Sequence, residues 1–227
     1  MSNAGLTLLA ATQHDAGADL LDRFGFVTPA IKQDLERFVG LLTEWQRTHN
    51  LVARSTLGDV WKRHIADSLQ LIKHAPADWR EWVDLGSGAG FPGLVVAIAT
   101  KDHPERHVTL VESNAKKAAF LRAAIRETGI NATVANERIE SHAQKFGRNA
   151  DVVSARALAL LPELLTLAEP HANRDTLMLF LKGREYVHEL KAAAQSFDFD
   201  VIDSLSATDS EGRVLAIRNV RAKEMRR

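Results

Sequence analysis

The sequence predicts an α/β protein: seven strands, mostly parallel, form one sheet that carries helices, with further helices packed on it from the N-terminal side. Three observations predict it. From Glu81 onward, short apolar runs alternate with helical stretches, the pattern of βαβ units. A glycine-rich turn, Gly86-Ser87-Gly88-Ala89-Gly90, separates the first such run from the helix after it. The last two runs have only a polar Ser-Glu-Gly region between them, which reads as an antiparallel pair closing the sheet.

Met1 to about Gly25 is Ala-rich and weakly patterned, with a short helix expected at Ala18–Phe24. Thr28-Pro29 then supplies an N-cap and a proline for the first helical turn, and Ile31, Leu35, Phe38, Leu42 and Trp45 recur at helical spacing to about Arg47. A second amphipathic helix is expected from Gly58 to Ala75, with Trp61, Ile65, Leu69 and Ile72 on one face and Pro76 closing it. The strands read as Trp82–Leu85, Val108–Val111, Ala132–Ala135, Asp151–Ser154, Thr176–Leu181, Phe199–Ser204 and Arg213–Val220. Helices fall at Phe91–Ala99, Ala115–Thr128, Leu160–Glu169 and Glu185–Ser196, and Arg138–Ala143 is at most one short turn. With 227 residues and no linker-like tract, the chain reads as one compact unit, a helical extension over 1–80 on a sheet domain over 81–227.

Composition narrows the chemistry. There is no cysteine, which removes disulfides, thiolate metal sites and any cysteine nucleophile. The nine histidines are not at ligand spacing, so no metal is expected. Twenty-nine basic and 29 acidic residues cancel, so any nucleic-acid contact has to come from local patches. No apolar run reaches membrane-span length and the first residues lack a secretory pattern, so the expected location is the cytoplasm, with no membrane partner.

The most informative motif is Trp82-Val83-Asp84-Leu85-Gly86-Ser87-Gly88-Ala89-Gly90-Phe91-Pro92-Gly93. Glycines at a strand-to-helix turn let the main chain approach a nucleotide-like cofactor that a β-carbon would exclude. Gly88, Gly90 and Gly93 also fit the dinucleotide spacing, which alone is a weak signal. Asp84, two residues before the first glycine, makes the segment resemble motif I of class I methyltransferases, which implies a Rossmann-like fold and S-adenosyl-L-methionine as cofactor. Glu112 ends the next strand, where an acidic side chain accepts from both ribose hydroxyls; the same residue would suit NAD. Asp84 and Glu112 also admit plainer roles, as a loop cap and a solvated strand end.

At the end of the fourth strand, Ser154-Ala155-Arg156-Ala157 stands where adenine-amino methyltransferases carry Asn/Asp-Pro-Pro-aromatic. An arginine there can bond a carboxylate, a phosphate or the O6 and N7 edge of guanine, or it can sit in a structural salt bridge. Together with Asn50-Leu51-Val52-Ala53, Arg63-His64-Ile65-Ala66-Asp67-Ser68-Leu69, Gly90-Phe91-Pro92-Gly93 and Leu181-Lys182-Gly183, this segment resembles the RsmG (GidB) family of bacterial 16S rRNA guanine-N7 methyltransferases, in the family's order from about Thr28 to Val220. Ser87 and Val52 stand where that family often has threonine.

The resemblance implies methyl transfer to a guanine at position 527, in the 530 loop of 16S rRNA of the small ribosomal subunit, by a protein expected to be a monomer. It places cofactor contacts on Gly86, Phe91, Ile139, Glu140 and Arg156; Gly88, Asp84 and Glu112 are added from the loop argument. Asn50, Arg63, His64, Arg156 and Lys182 are the candidates for positioning the acceptor, with no general base. Plainer readings stand beside these: Arg63 or His64 pairing with Asp67 along one helix face, Asn50 capping a turn, and Glu140 serving as a helix-start carboxylate. Lys182 and Arg184 follow the fifth strand where phosphates can be neutralised, and Arg221, Lys223, Arg226 and Arg227 form a basic tail. Three rivals remain at this point: a small-molecule methyltransferase of the same fold, an NAD-dependent oxidoreductase, and a non-catalytic RNA-binding protein.

Overall fold

A computed structural model describes residues 20–223 and shows one seven-stranded sheet in the order β3-β2-β1-β4-β5-β7-β6. The strands are β1 Glu81–Leu85, β2 His107–Val111, β3 Ala132–Ala135, β4 Ala150–Arg156, β5 Ala172–Lys182, β6 Phe197–Leu205 and β7 Arg213–Ala222. β1 to β5 are parallel, and β7 runs antiparallel between β5 and β6. The order reverses between β1 and β4, so a crevice opens at the carboxyl ends of those two strands, where ligands bind in open α/β sheets.

The helices are α1 Pro29–Gln46, α2 Gly93–Ala99, α3 Ala115–Thr128, α4 Ile139–Phe146, α5 Leu161–Ala168 and α6 Tyr186–Ser196. Thr28 Oγ1 caps α1 by accepting from the Ile31 amide, and Pro29 opens it. The buried stripe Ile31, Leu35, Phe38 and Leu42 shares one apolar core with α2, α3 and the sheet. Phe38 meets Phe91 at 5.4 Å and Phe120 at 6.2 Å between ring centroids, so α1 presses on the residue that ends the glycine loop. Asp34, 3% exposed, accepts from Lys101 Nζ and Arg37, which ties α1 to the end of α2. A second core, around Val83, Val153, Leu165 and Phe180, holds α5 and α6 on the other face of the sheet. Among the described residues no helix is long and apolar enough to cross a membrane.

Two elements differ from expectation. The second helix is not regular: a 3-10 turn Arg54–Asp59 leads into a π turn Trp61–Ala66, one α turn Asp67–Leu69 and a 3-10 turn Gln70–Lys73. Ser68 Oγ bonds back to the His64 carbonyl at 2.6 Å, and Arg156 takes the Arg63 carbonyl at 2.8 Å, both competing with regular helix bonding. The single turn expected at Arg138–Ala143 is the eight-residue α4, because His142 and Phe146 stack on each other and His142 stacks on His171. The short helix expected at Ala18–Phe24 begins outside the described residues, within which Leu20 and Leu21 are helical; Arg226 and Arg227 of the basic tail also lie outside them.

Candidate functional site: the glycine-loop cleft

The loop leaving β1 turns on three glycines of positive φ: Gly86 at +65°, Gly88 at +57° and Gly90 at +91°. Gly90 N and Phe91 N both donate to the Ser87 carbonyl, and Ser87 N donates to Val111 O of β2, so the loop is closed as a turn by its own main chain. Gly93 brings α2 against β1: a β-carbon there would stand 2.5 Å from Asp84 Cβ and 2.6 Å from Leu110 Cδ2.

The two acids of the motif hold this loop from below and from the side. Asp84 is wholly buried, and its Oδ1 accepts from Ser154 Oγ at 2.6 Å, while Ser154 Oγ accepts from Trp82 Nε1 at 2.8 Å. These are cross-strand neighbours, since Asp84 is paired with Ser154 in the β1–β4 register. Burial pushes the Asp84 carboxyl up to about 6, against the opposing hydrogen bonds and the nearby Arg156 charge. With no exposed surface, Asp84 acts on a ligand only through the loop above it. Glu112, 7% exposed, accepts from Gly88 N at 2.8 Å through Oε2 and from Asn114 N at 2.7 Å through Oε1. Its carboxylate therefore braces the middle glycine with both oxygens engaged, and Glu112 sits behind the loop, not among the residues that line the cleft.

The loop opens on a cleft of about 1110 Å³. Its walls include Leu51–Ala53, the irregular helical segment, the turn after β4, the end of β5 and the β6–β7 loop, all remote from one another in sequence, with Lys117 and Glu189 added from α3 and α6. Gln46 shapes the first wall by donating to Val52 O and accepting from Leu51 N and Val52 N. Asn50 is exposed at that turn and does not line the cleft. After β4, Ala157 has φ of +51°, a strained value for a residue with a β-carbon. That turn swings Leu158 over Gly86, where a β-carbon would meet Leu158 Cδ1 at 2.6 Å.

Arg156, at the end of β4, crosses the cleft. Its Nη1 donates to Arg63 O, its guanidinium lies 5.1 Å from the Phe91 ring centroid, and Asp67 Oδ2 stands 3.9 Å from Nη1. The expected pairing of Arg63 or His64 with Asp67 is therefore corrected: Asp67 faces Arg156, because its carboxylate is drawn to the donors of Gln70, Ser206 and Thr208. The Arg63 side chain is exposed beside Lys62 at the mouth. His64 stacks on Phe91 at 4.8 Å and shares a 2.9 Å hydrogen bond with Thr56 through Nε2. Burial pushes its imidazole down to about 3, with Arg156 and then Arg63 adding to it, so it is neutral at physiological pH.

Lys182, at the end of β5, donates to Ala159 O at 2.8 Å and Glu189 Oε2 at 2.6 Å, and Glu189 also accepts from Leu161 N. Its charge is compensated and ties the turn after β4 to α6. Ile139 packs half-buried against the second core, Glu140 is exposed in the first turn of α4, and neither lines the cleft. Reading the sequence missed Gln46, Thr56, Leu158, Glu189 and the Ser206–Gly212 loop. None carries a local signal except Glu189, seven residues after Lys182 across a helix start.

The chain matches the GidB family, described as rRNA small subunit methyltransferase G, over residues 31–218. It is 44% identical over 193 residues to the ribosomal RNA small subunit methyltransferase G of Cereibacter sphaeroides, covering 85% of this chain and 92% of that one. The protein of the same name from Parvibaculum lavamentivorans is 43% identical over 217 residues, covering 92% and 95%. That from Methylobacterium nodulans is 48% identical over 187 residues, covering 82% and 87%. Among solved structures, a ribosomal protein L11 methylase from Lactobacillus delbrueckii subsp. bulgaricus has a TM-score of 0.52 at 19% identity, covering 70% of this chain and 77% of that one. Cofactor-bound Rv0187 from MTB has a TM-score of 0.55 at 15% identity, covering 87% and 95%, and these two likenesses concern the fold. Family match, coverage and fold agree, and the chain belongs to the rRNA small subunit methyltransferase G family.

Proposed function

We propose that this protein transfers the methyl group of S-adenosylmethionine to N7 of a guanine in 16S rRNA, the one at position 527 in the 530 loop of the small subunit. The observation that carries the reading is the cleft itself, in which a preformed glycine loop braced by Glu112 and an arginine at the end of β4 face one cavity. Its volume, about 1110 Å³, is at the upper end for ligand pockets and has room for a nucleoside cofactor beside a second base.

The residues fit the cofactor. Gly86 and Gly88 present main chain without a β-carbon, and Glu112 offers the acceptor for ribose hydroxyls. Ile139 and Glu140 stand at the start of α4, beyond β3 and outside the cleft lining, and their assignment to the adenine rests on the family resemblance alone. S-adenosylmethionine supplies a methyl group on a sulfonium, and N7 of guanine brings its own lone pair, so no side chain has to take a proton. What the chain supplies is alignment. Arg156 is held at three points, by Arg63 O, Asp67 and the Phe91 ring, so little ordering is left to do when the acceptor arrives. Lys62, Arg63 and Lys117 line the cleft and form no ion pair among the described residues, although Asp59 and Asp209 line it too, so they are the side chains available to RNA phosphates.

The test is transfer of labelled methyl to small ribosomal subunits lacking the modification, followed by mapping of the modified base. Label at N7 of the 530-loop guanine is the expected result. Label on free metabolites, or on another atom of the RNA, would replace the acceptor named here.

A further inference from the structure

Asp67 joins three elements at the wall of the cleft. Its Oδ1 accepts from Thr208 Oγ1 at 2.5 Å, Gln70 Nε2 at 2.8 Å and Ser206 Oγ at 3.4 Å. Gln70, 3% exposed, bonds with both ends of its amide, since Oε1 accepts from Ala207 N and Nε2 also donates to Ser206 Oγ. One carboxylate oxygen is thus saturated by a clasp that pins the β6–β7 loop to the helical segment. The other, Oδ2, has no hydrogen-bond partner among the described residues; Arg156 stands 3.9 Å from it and the Asp209 carboxylate is close enough to act on it, and Asp67 and Arg156 keep 19% and 18% of their side-chain surface exposed while lining the cleft.

A fixed acceptor 3.9 Å from a fixed donor is a recognition pair. Guanine carries an acceptor, O6, next to a donor, N1–H; adenine carries the reverse, an amine next to an unprotonated ring nitrogen. Resting on the guanine reading above, we propose that Asp67 and Arg156 together read the base: Asp67 Oδ2 accepts from guanine N1–H while the Arg156 guanidinium donates to O6. Adenine in the same place sets donor against donor and acceptor against acceptor, leaving buried polar groups unpaired. The clasp on Oδ1 holds the carboxylate in register for this contact. Asp67 is then a specificity residue, and Gln70, Ser206 and Thr208 position it.

Asp67→Asn is the discriminating variant, because its side-chain oxygen keeps the Thr208 and Gln70 bonds while an amine replaces Oδ2. Full-length wild type and variant are assayed on small subunits whose target nucleotide is guanosine or N1-methylguanosine, which keeps N7 and O6 but has no N1–H. On guanosine, Asp67→Asn is expected to lower kcat/KM about 10- to 100-fold, the value of one hydrogen bond to a charged group, with S-adenosylmethionine affinity unchanged. Wild type loses a similar factor on N1-methylguanosine, and the variant loses no more than that in total. Equal factors of loss on both substrates, or full activity of Asp67→Asn on guanosine, overturn the proposal. Thr208→Val, which loosens the clasp but keeps the carboxylate, should retain discrimination between the two substrates; its loss of discrimination together with Asp67→Asn acting alike on both would leave Asp67 a loop anchor. A wild type that leaves N7 of the guanosine substrate unmethylated overturns the guanine reading itself, a result separate from any effect of Asp67.

Discussion

Removing the Glu112 carboxylate should injure the protein in two measurable ways at once. The carboxylate receives two amide donors, Gly88 N at 2.8 Å and Asn114 N at 2.7 Å, and the residue is 7% exposed. Hydrogen bonds to a charged group contribute about 1.5–3 kcal/mol each, and water can reach part of the vacated space, so Glu112→Ala should cost about 3 kcal/mol of stability. At about 2–4 °C per kcal/mol for a domain of this size, the thermal midpoint falls by about 6–12 °C. The ribose contact adds a separate loss in S-adenosylmethionine affinity of about 10- to 100-fold. Calorimetric titration and a melting curve without ligand read the two effects independently. A 2′-deoxy analogue of the cofactor resolves loop damage from ribose contact: where Glu112 bonds that hydroxyl, wild type and variant bind the analogue with more nearly equal affinity. Unchanged affinity for the natural cofactor would refute the ribose assignment, and an unchanged midpoint would refute the brace on the glycine loop.

Three further outcomes follow from the geometry. Gly93→Ala drives a methyl group to within 2.5 Å of Asp84 Cβ, which cannot rotate away, so stability should fall by at least about 1–3 kcal/mol in urea unfolding; an unshifted midpoint would show that α2 moves freely on β1. His64, held near 3, stays neutral where the unfolded chain takes a proton below 6.5. Its contribution therefore leaves stability untouched above pH 6.5 and lowers it as pH falls from 6.5 toward 3, by at most about 1.4 kcal/mol per pH unit. His64→Gln should remove that slope while leaving the pH dependence of single-turnover methyl transfer between about pH 5.5 and 7.5 as in wild type. A rate limb that disappears in His64→Gln would make His64 a base and point to an acceptor that loses a proton. Arg156→Lys keeps the charge but loses the planar group over Phe91, and should cut single-turnover transfer by about tenfold or more; a wild-type rate would reduce Arg156 to a counter-ion for Asp67.

The Asp84–Ser154–Trp82 chain shows how closely a motif and its support can be separated in sequence. Asp84 was legible because it stands two residues before Gly86, whereas Ser154 and its hydroxyl bridge arrive from β4, 70 residues away. The same contrast runs through the cleft. Apolar periodicity and turn chemistry, which act between residues a few positions apart, determined α1, α3, the alternation of strands and helices and the closing β6–β7 pair. They also determined that the turn after β1 would be bare of β-carbons. They carried no information on the π turn before Asp67, on Asp67 facing Arg156, on Leu158 over Gly86, or on Thr208 bonded to a residue 141 positions before it. Those are contacts between surfaces, and each depends on how the N-terminal helices seat on the sheet and how far the last hairpin reaches back. A local pattern can specify which face of an element is apolar, but the pairing of two polar side chains across a cleft is decided only when the packed cores on either side have fixed their distance.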